Sequence, residues 1–442
     1  MDCSTLAAFR RDLYGCFGNG RDALMNTCDA LLTEISARSL PELSLSPFFT
    51  RRWPSLYEAF EDGIVDQQAL QRLFVGTAAS SAQGRWVLAA DATPITRPQS
   101  PTARDRTYVH VPNLPAGSKP VAPGWQFATL VALPQTPSSW TTILDNRRIE
   151  SGQTPGQAVA GQLQELSPLL PDDALVVCDG GFGNPTFLAL VAHLPQGKLL
   201  RTAKNRTLYR PAPPRTGKKG APKKDGDAFA LPDATTHGTP DEEWAGTDDE
   251  GHTCEVACWH HLHFQKCREA EVSLLRVSRP ASSNTAREPQ TLTAREPQTL
   301  WLLWQGADMP PLGEIPSLYR RRFSIEHGYR FDKQCLLWEQ PRLRTPEKFE
   351  TWTQVVSAVH NQITLAHSLT PGQRHPWESR RREPTPAQVR RACGRIIAQL
   401  GSPAVLPQVR GKSPGRACGA VIAKAARFKT IFKQTGCKKS LV

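Results

Sequence analysis

Three acidic residues far apart in the chain, Asp91, Asp179 and Glu326, stand in surroundings that suit phosphodiester chemistry. Asp91 follows the short apolar run Trp86 to Ala90 and is closed off by Pro94. Asp179 follows a second such run, Ala174 to Cys178, and precedes a glycine-rich turn. Each reads as a carboxylate delivered at the C-terminal end of a buried strand. Glu326 lies in SLYRRRFSIEHGYRFDKQ, residues 317 to 334, where Tyr319, Arg322, Glu326, Tyr329, Arg330 and Lys333 recur at intervals that stack on one face of a helix. Taken alone, Arg322 and Glu326 at i,i+4 are a routine helix-stabilising pair.

As a set, the three carboxylates suit Mg²⁺, a hard cation that takes oxygen ligands and keeps several waters, with Mn²⁺ as a substitute. Two such ions about 4 Å apart activate a water or a 3′ hydroxyl and stabilise the leaving oxygen of a phosphodiester. Arg322 would then grip a flanking phosphate as a bidentate fork and Lys333 as a point charge. Gly180, Gly181 and Gly183 would let DNA or a partner loop approach Asp179, with an ordinary tight turn as the plainer reading.

The elements that must position these groups are short and alternate in type. Strands are expected at Tyr108 to Val111, Gln126 to Leu133, Trp140 to Leu144 and Leu199 to Thr202, with helices at 155 to 167 and Pro185 to Val191. Strands followed by crossover helices argue for a mixed α/β core. Residues 1 to about 80 look helical, with Leu24, Cys28, Leu31, Leu32 and Ile35 at helical spacing. Between 210 and about 300 a Pro-, Gly- and Lys-rich linker, an acidic patch, a strand pair at Glu255 to His263 and Glu271 to Val277, and a tandem TAREPQTL (Thr285 to Leu292, Thr293 to Leu300) interrupt the core. A strand at Leu300 to Trp304 and helices at Ser317 to Gln334, Pro346 to Ala366 and Pro386 to Leu400 follow.

The net charge of +13 is unevenly spread: from Gly401 to Val442 there are nine Lys and Arg residues and no Asp or Glu. That tail, with Arg410, Lys412 and Arg416 near its start, reads as a polyanion contact. Eleven cysteines without a disulfide rhythm are expected to be reduced thiols. No apolar run approaches eighteen residues and the N-terminus lacks a secretory pattern, so a cytoplasmic location and no membrane partner are expected.

The interval Y-x2-R-x3-E-x6-K, carried here by Tyr319, Arg322, Glu326 and Lys333, resembles the signature of DDE transposases encoded by bacterial insertion sequences. VLAADATPITRP around Asp91, Asp179-Gly180-Gly181-Phe182, GWQFATLVAL, SSWTTILD and CLLWEQPRLRTPEKFETW are similar to the same group. The resemblance implies an α/β, RNase H-like core interrupted by a mostly β insertion, with a helical N-terminal region and a basic C-terminal region. On this reading residues 1–80 are the helical region, 85–208 and 300–370 the two parts of the core, 209–299 the insertion and 371–442 the DNA-contacting region. It further implies cleavage at terminal inverted repeats of double-stranded DNA and transfer of the 3′ hydroxyl to target DNA, usually by a synaptic homodimer. Asp91, Asp179 and Glu326 would be catalytic metal ligands, and Tyr319, Arg322, Arg330, Lys333, Arg410, Lys412 and Arg416 DNA contacts. The duplicated TAREPQTL departs from the pattern.

Two other enzyme-free or simpler readings compete: a metal-dependent endonuclease without strand transfer, and a catalytically inactive DNA-binding derivative. Cys254, Cys258, His260, His261, His263 and Cys267 invite a zinc site, but the spacing lacks paired C-x2-C and WHHLHF alternates like a strand. Cys178 reads as an inert buried thiol, and His327 as a packing or surface residue rather than a base.

Overall fold

The computed structural model describes residues 3–81, 84–111, 120–214, 221–249, 251–279, 299–380, 382–408, 415, 418–421 and 424–433. Five helices open the chain: α1 (Ser4–Cys16), α2 (Arg21–Thr33), α3 (Leu40–Leu43), α4 (Trp53–Glu61) and α5 (Gln67–Ser81). The strands β1 (Val87–Thr96), β2 (Thr107–His110), β3 (Val121–Ala132) and β4 (Thr142–Ile149) follow, then α6 (Pro155–Leu166), β5 (Leu175–Gly183), α7 (Pro185–Val191) and β6 (Gly197–Thr202). Next come β7 (Thr207–Tyr209), β8 (Ala228–Ala230), β9 (Glu242–Thr247), β10 (Thr253–Phe264), β11 (Cys267–Ser278) and β12 (Thr299–Gln305). The helices α8 (Ile315–Arg321), α9 (Phe323–Gln334), α10 (Pro346–Ala366) and α11 (Pro386–Leu400) complete the described elements.

The twelve strands form a mixed but mostly antiparallel sheet in the order β2-β3-β1-β5-β6-β12-β11-β10-β7-β8, with β4 also on β3 and β9 also on β10. Only β1 with β5 and β5 with β6 run parallel, as the crossovers through α6 and α7 require. Alternation along these strands sorts the core onto two faces. Val87, Ala89, Leu175 and Val177 pack with Leu13, Leu24, Ile325, Tyr329 and Val355, the side of α1, α2, α9 and α10. Leu88, Ala90, Val176 and Cys178 pack with Val159, Leu163 and Leu188 of α6 and α7. The strands between β6 and β12 continue the same sheet, since β12 pairs with β6 on one edge and β11 on the other.

Two local expectations change. β1 does not stop at Asp91 but runs on through Pro94 to Thr96, because β3 pairs with it along that whole stretch, from Leu88↔Ala132 to Thr96↔Gly124. The parallel pairing with β5 does stop, at Ala90↔Cys178, so Asp91 marks where one neighbour leaves rather than where the strand ends. The helix expected over Ser317 to Gln334 is two helices that meet at Arg322. The junction is a tightened turn in which the Arg322 N–H donates to the Tyr319 carbonyl and the Ile325 N–H to the Arg322 carbonyl. Three consecutive buried arginines pull it in different directions: Arg320 to Asp248 and Asp249, Arg321 to the Pro134 and Leu133 carbonyls, Arg322 to Glu326.

Candidate active site

The last paired positions of β1 and β5, Ala90 and Cys178, are each followed by an aspartate. Strand alternation places Asp91 and Asp179 on the face covered by α9. β5 then leaves its register with β6 between Cys178 and Gly183, so residues 179–182 bulge out at the sheet's C-terminal edge. The bulge is held locally. Asp179 Oδ1 accepts from the Gly181 N–H at 2.9 Å, and Asn184 donates to the Gly181 carbonyl at 2.8 Å while capping α7 through the Phe187 N–H. Gly183 is needed for close approach, since a β-carbon there would lie 2.0 Å from the Arg201 carbonyl oxygen.

Asp91 and Asp179 line one cleft of about 420 Å³ together with Gln126, Thr154, Gly156, Gln157 and Asn184. Burial pushes the Asp91 carboxyl up to about 7, and the like charge of Asp179 adds to it. The Ala92 N–H, which donates to Asp91 Oδ1 at 2.7 Å, and the Arg322 guanidinium act in the opposite direction, and Glu326 raises it further. A buried carboxylate beside a second carboxylate is a site that gains from a bound cation.

α9 is fastened to β1 by two of its own side chains. The Tyr329 hydroxyl donates to the Asp91 carbonyl at 3.1 Å, and the Lys333 ammonium to the Pro94 carbonyl at 2.8 Å. Lys333 also pairs with Glu339 at 2.7 Å. The polar face expected over residues 317–334 is graded across α8, the junction and α9. Tyr319 and Arg322 are buried, Lys333 is partly covered, and Glu326 and Arg330 are exposed. Arg322 stacks 5.8 Å from the Tyr319 ring centroid and 4.7 Å from that of Phe323, and donates to Glu326 Oε1 at 3.0 Å. Burial by itself would lower the Arg322 pKa, but Tyr319, Glu326, Asp91 and Asp179 together hold it above its ordinary value. Arg322 is thus the cation that senses all three acidic residues.

The three carboxylates are electrostatically coupled without converging on one point. Among the described residues no three His, Cys, Asp or Glu side chains stand close enough to hold a metal ion together. Glu326 is half exposed and engaged with Arg322. Arg330 lines a separate basic hollow with Arg38, Lys333 and Gln334. Arg410, Lys412 and Arg416 lie outside the described residues, as does nearly all of the duplicated TAREPQTL.

Arg201 was missed by sequence reasoning. It lies on β6 within 4 Å of where a Gly180 β-carbon would be, and it lines a groove with Tyr319, Arg279 and Arg320. Its only sequence signal was its place in a strand next in order after the Asp179 turn. The cysteine and histidine cluster is dispersed. Cys254 and Cys258 belong to one core face and Cys267 to the other, while His260 pairs with Glu242, His261 with Glu271 and His263 with Asp225. Cys178 is a free, fully buried thiol whose pKa burial pushes far up.

No helix among the described residues is long and apolar enough to cross a membrane. The cryo-EM structure of the piggyBac transposase synaptic complex with hairpin DNA is similar at 11% identity and a TM-score of 0.41, over 90% of this chain and 79% of that one. No curated protein matches the sequence. Residues 12–261 match the family described as DDE superfamily endonuclease, a stretch that contains Asp91 and Asp179 and ends ahead of Glu326. With more than half of its length matched, the chain belongs to the DDE superfamily endonucleases.

Proposed function

We propose that this protein is a DDE transposase that cleaves phosphodiesters at insertion-sequence ends and transfers the freed 3′ hydroxyl to target DNA. The observation that carries the reading is the placement of Asp91 and Asp179 side by side where β1 and β5 part, with Arg322 coupled to both and to Glu326. The strand order β4-β3-β1-β5-β6, an antiparallel meander joined to two parallel strands, supports an RNase H-like core. Membership of the endonuclease family supports phosphodiester cleavage.

Asp91 and Asp179 fit a hard divalent cation, because their shared cleft leaves Asp91 short of compensating charge. Mg²⁺, or Mn²⁺ in its place, would be held by these two and by Glu326 once that side chain turns from Arg322. When bound, such ions activate the attacking oxygen and stabilise the leaving one. The chain's own groups do the positioning: Tyr329 and Lys333 fix α9 against β1, and Arg322 offsets the mutual repulsion of the acidic set. Tyr319, Arg322, Arg330, Lys333 and the basic stretch with Arg410, Lys412 and Arg416 would bind phosphates of the DNA ends, in a homodimeric synaptic complex.

The test is incubation of purified protein with its own flanking DNA ends and Mg²⁺ or Mn²⁺. The reading expects 3′ hydroxyl ends and joined products, both lost in Asp91→Asn, Asp179→Asn and Glu326→Gln. Cleavage without joined products would assign an endonuclease instead. DNA binding without metal-dependent cleavage would assign an inactive derivative.

A further inference from the structure

Late in the chain, residues 424–433 return to the sheet. β2 ends the strand path, so one of its edges offers unpaired backbone groups. The returning segment covers that edge. Ile431 forms a parallel bridge with Thr107, and its N–H donates to the Arg106 carbonyl at 2.7 Å. The Phe428 N–H donates to the Pro101 carbonyl at 2.8 Å, and the buried Arg106 guanidinium donates to the Phe428 carbonyl at 3.0 Å. The Phe432 and Tyr108 rings meet at 4.5 Å. These are the contacts of strand addition to a sheet edge, here made by the protein's own chain.

The position of this strap relative to the aspartate cleft gives it a use. Lys433 donates to the Gln153 carbonyl at 2.9 Å. The next residue, Thr154, caps α6 and, with Gly156 and Gln157, walls the cleft that holds Asp91 and Asp179. Lys424, Arg427 and Lys429 on the strap are exposed, and among the described residues none of them forms an ion pair. The sequence from Gly401 onward contains no acidic residue to satisfy them. Lys433 ties the end of the strap to the cleft wall, and exposed cations along a segment anchored there suit one ligand chemistry above others, the phosphate backbone of the DNA that extends from the cleft.

We propose that residues 424–433 are a DNA-binding strap, docked on the β2 edge so that Lys424, Arg427 and Lys429 contact backbone phosphates of duplex DNA leaving the Asp91–Asp179 cleft. The proposal rests on the nuclease reading above and adds a contact surface to it.

The experiment is a fluorescence-anisotropy titration of a short DNA duplex by the full chain across a salt series. It compares the starting protein with a Lys424→Ala, Arg427→Ala, Lys429→Ala variant and with Ile431→Ser, which leaves the net charge unchanged but loosens the dock. Thermal melts check that both variants fold. The triple variant should bind more weakly, and the slope of log affinity against log salt should shrink by about 0.9 for each lost phosphate contact. Ile431→Ser should lose affinity in the same sense. An unchanged slope in the triple variant, while the starting protein binds duplex tightly, overturns the strap alone. Failure of the starting protein to bind duplex overturns the strap and the nuclease reading together. Competition by polyglutamate as effective as by duplex at equal charge would overturn the assignment to DNA.

Discussion

Arg322 and Glu326 are joined at 3.0 Å, yet the arginine side chain is 6% exposed and the glutamate 50%. The pair is therefore lopsided: one end is a buried cation serving the acidic set, the other a solvent-facing carboxylate free to turn. Glu326→Gln should cost less than about 1 kcal/mol of stability, as exposed i,i+4 pairs do, while abolishing cleavage. Arg322→Ala should cost about 1–3 kcal/mol, through lost packing on Tyr319 and Phe323 and unscreened carboxylates. Denaturant unfolding of the two variants side by side checks the contrast, and equal losses would argue against it.

Asp91 predicts a pH dependence of the metal-free protein. Its carboxyl sits near 7 when folded, raised first by burial and then by Asp179, against about 3.9 in an unfolded chain. A raised folded pKa contributes stability that is fully present below the unfolded value and lost as pH rises through the folded one. Between about pH 4 and pH 8 this group should therefore cost the fold about 2–4 kcal/mol. Asp91→Asn should remove that dependence and melt higher than the starting protein at pH 8 without metal. A lower melting temperature for the variant at that pH would contradict the assignment.

Six residues beyond Glu326 on the same helix, Asp332 faces His360 Nδ1 at 2.7 Å, while the other ring nitrogen lies 3.0 Å from the Thr141 carbonyl. Both ring nitrogens meet acceptors, an arrangement that favours the doubly protonated ring. Burial works against its charge, but Asp332 outweighs burial and the His360 pKa is raised. The stabilisation is complete below about pH 6.5, the unfolded value, and fades as pH climbs through the raised folded value. An imidazole NMR titration should find the His360 pKa above its unfolded value in the starting protein and lower in Asp332→Asn. A His360 pKa no higher in the starting protein than in Asp332→Asn would rule out this anchor for α9.

The glycines after Asp179 are unequal. A β-carbon at Gly183 would collide with the Arg201 backbone, whereas one at Gly180 would meet nothing nearer than 3.9 Å. Gly183→Ala should therefore destabilise by about 3 kcal/mol or more and misplace Asp179, while Gly180→Ala should leave melting within about 0.5 kcal/mol of the starting protein. Thermal melts of the two variants, read together with cleavage rates, decide the matter.

Much of this arrangement was legible where local chemistry sets an element's ends. α7, α10 and α11 begin at a proline behind an Asn or Thr cap and run to the residues their apolar stripes predict. What escaped was non-local. The extension of β1 past Asp91 depends on β3, whose residues lie some thirty positions away, and Pro94 is tolerated because only one neighbour pairs there. The tightened turn at Arg322 is accompanied by a carboxylate and a carbonyl that distant segments offer to Arg320 and Arg321, which a run of three strong helix formers hides. Arg201 gave no pattern, because its role comes from sheet order. The spacing of Tyr319, Arg322, Glu326 and Lys333 predicted one helical face, which the break at Arg322 divides between α8 and α9, and burial of the first two could not be read from periodicity in a polar face.

The account stands on Asp91, Asp179 and Glu326 acting on the same cation. Mn²⁺ binding to the protein assembled on its own DNA end, followed by electron paramagnetic resonance, addresses this most directly. Asp91→Asn, Asp179→Asn and Glu326→Gln should each weaken binding and alter the Mn²⁺ spectrum. A Glu326→Gln protein that binds Mn²⁺ with unchanged affinity and spectrum, and still cuts the end, would contradict it.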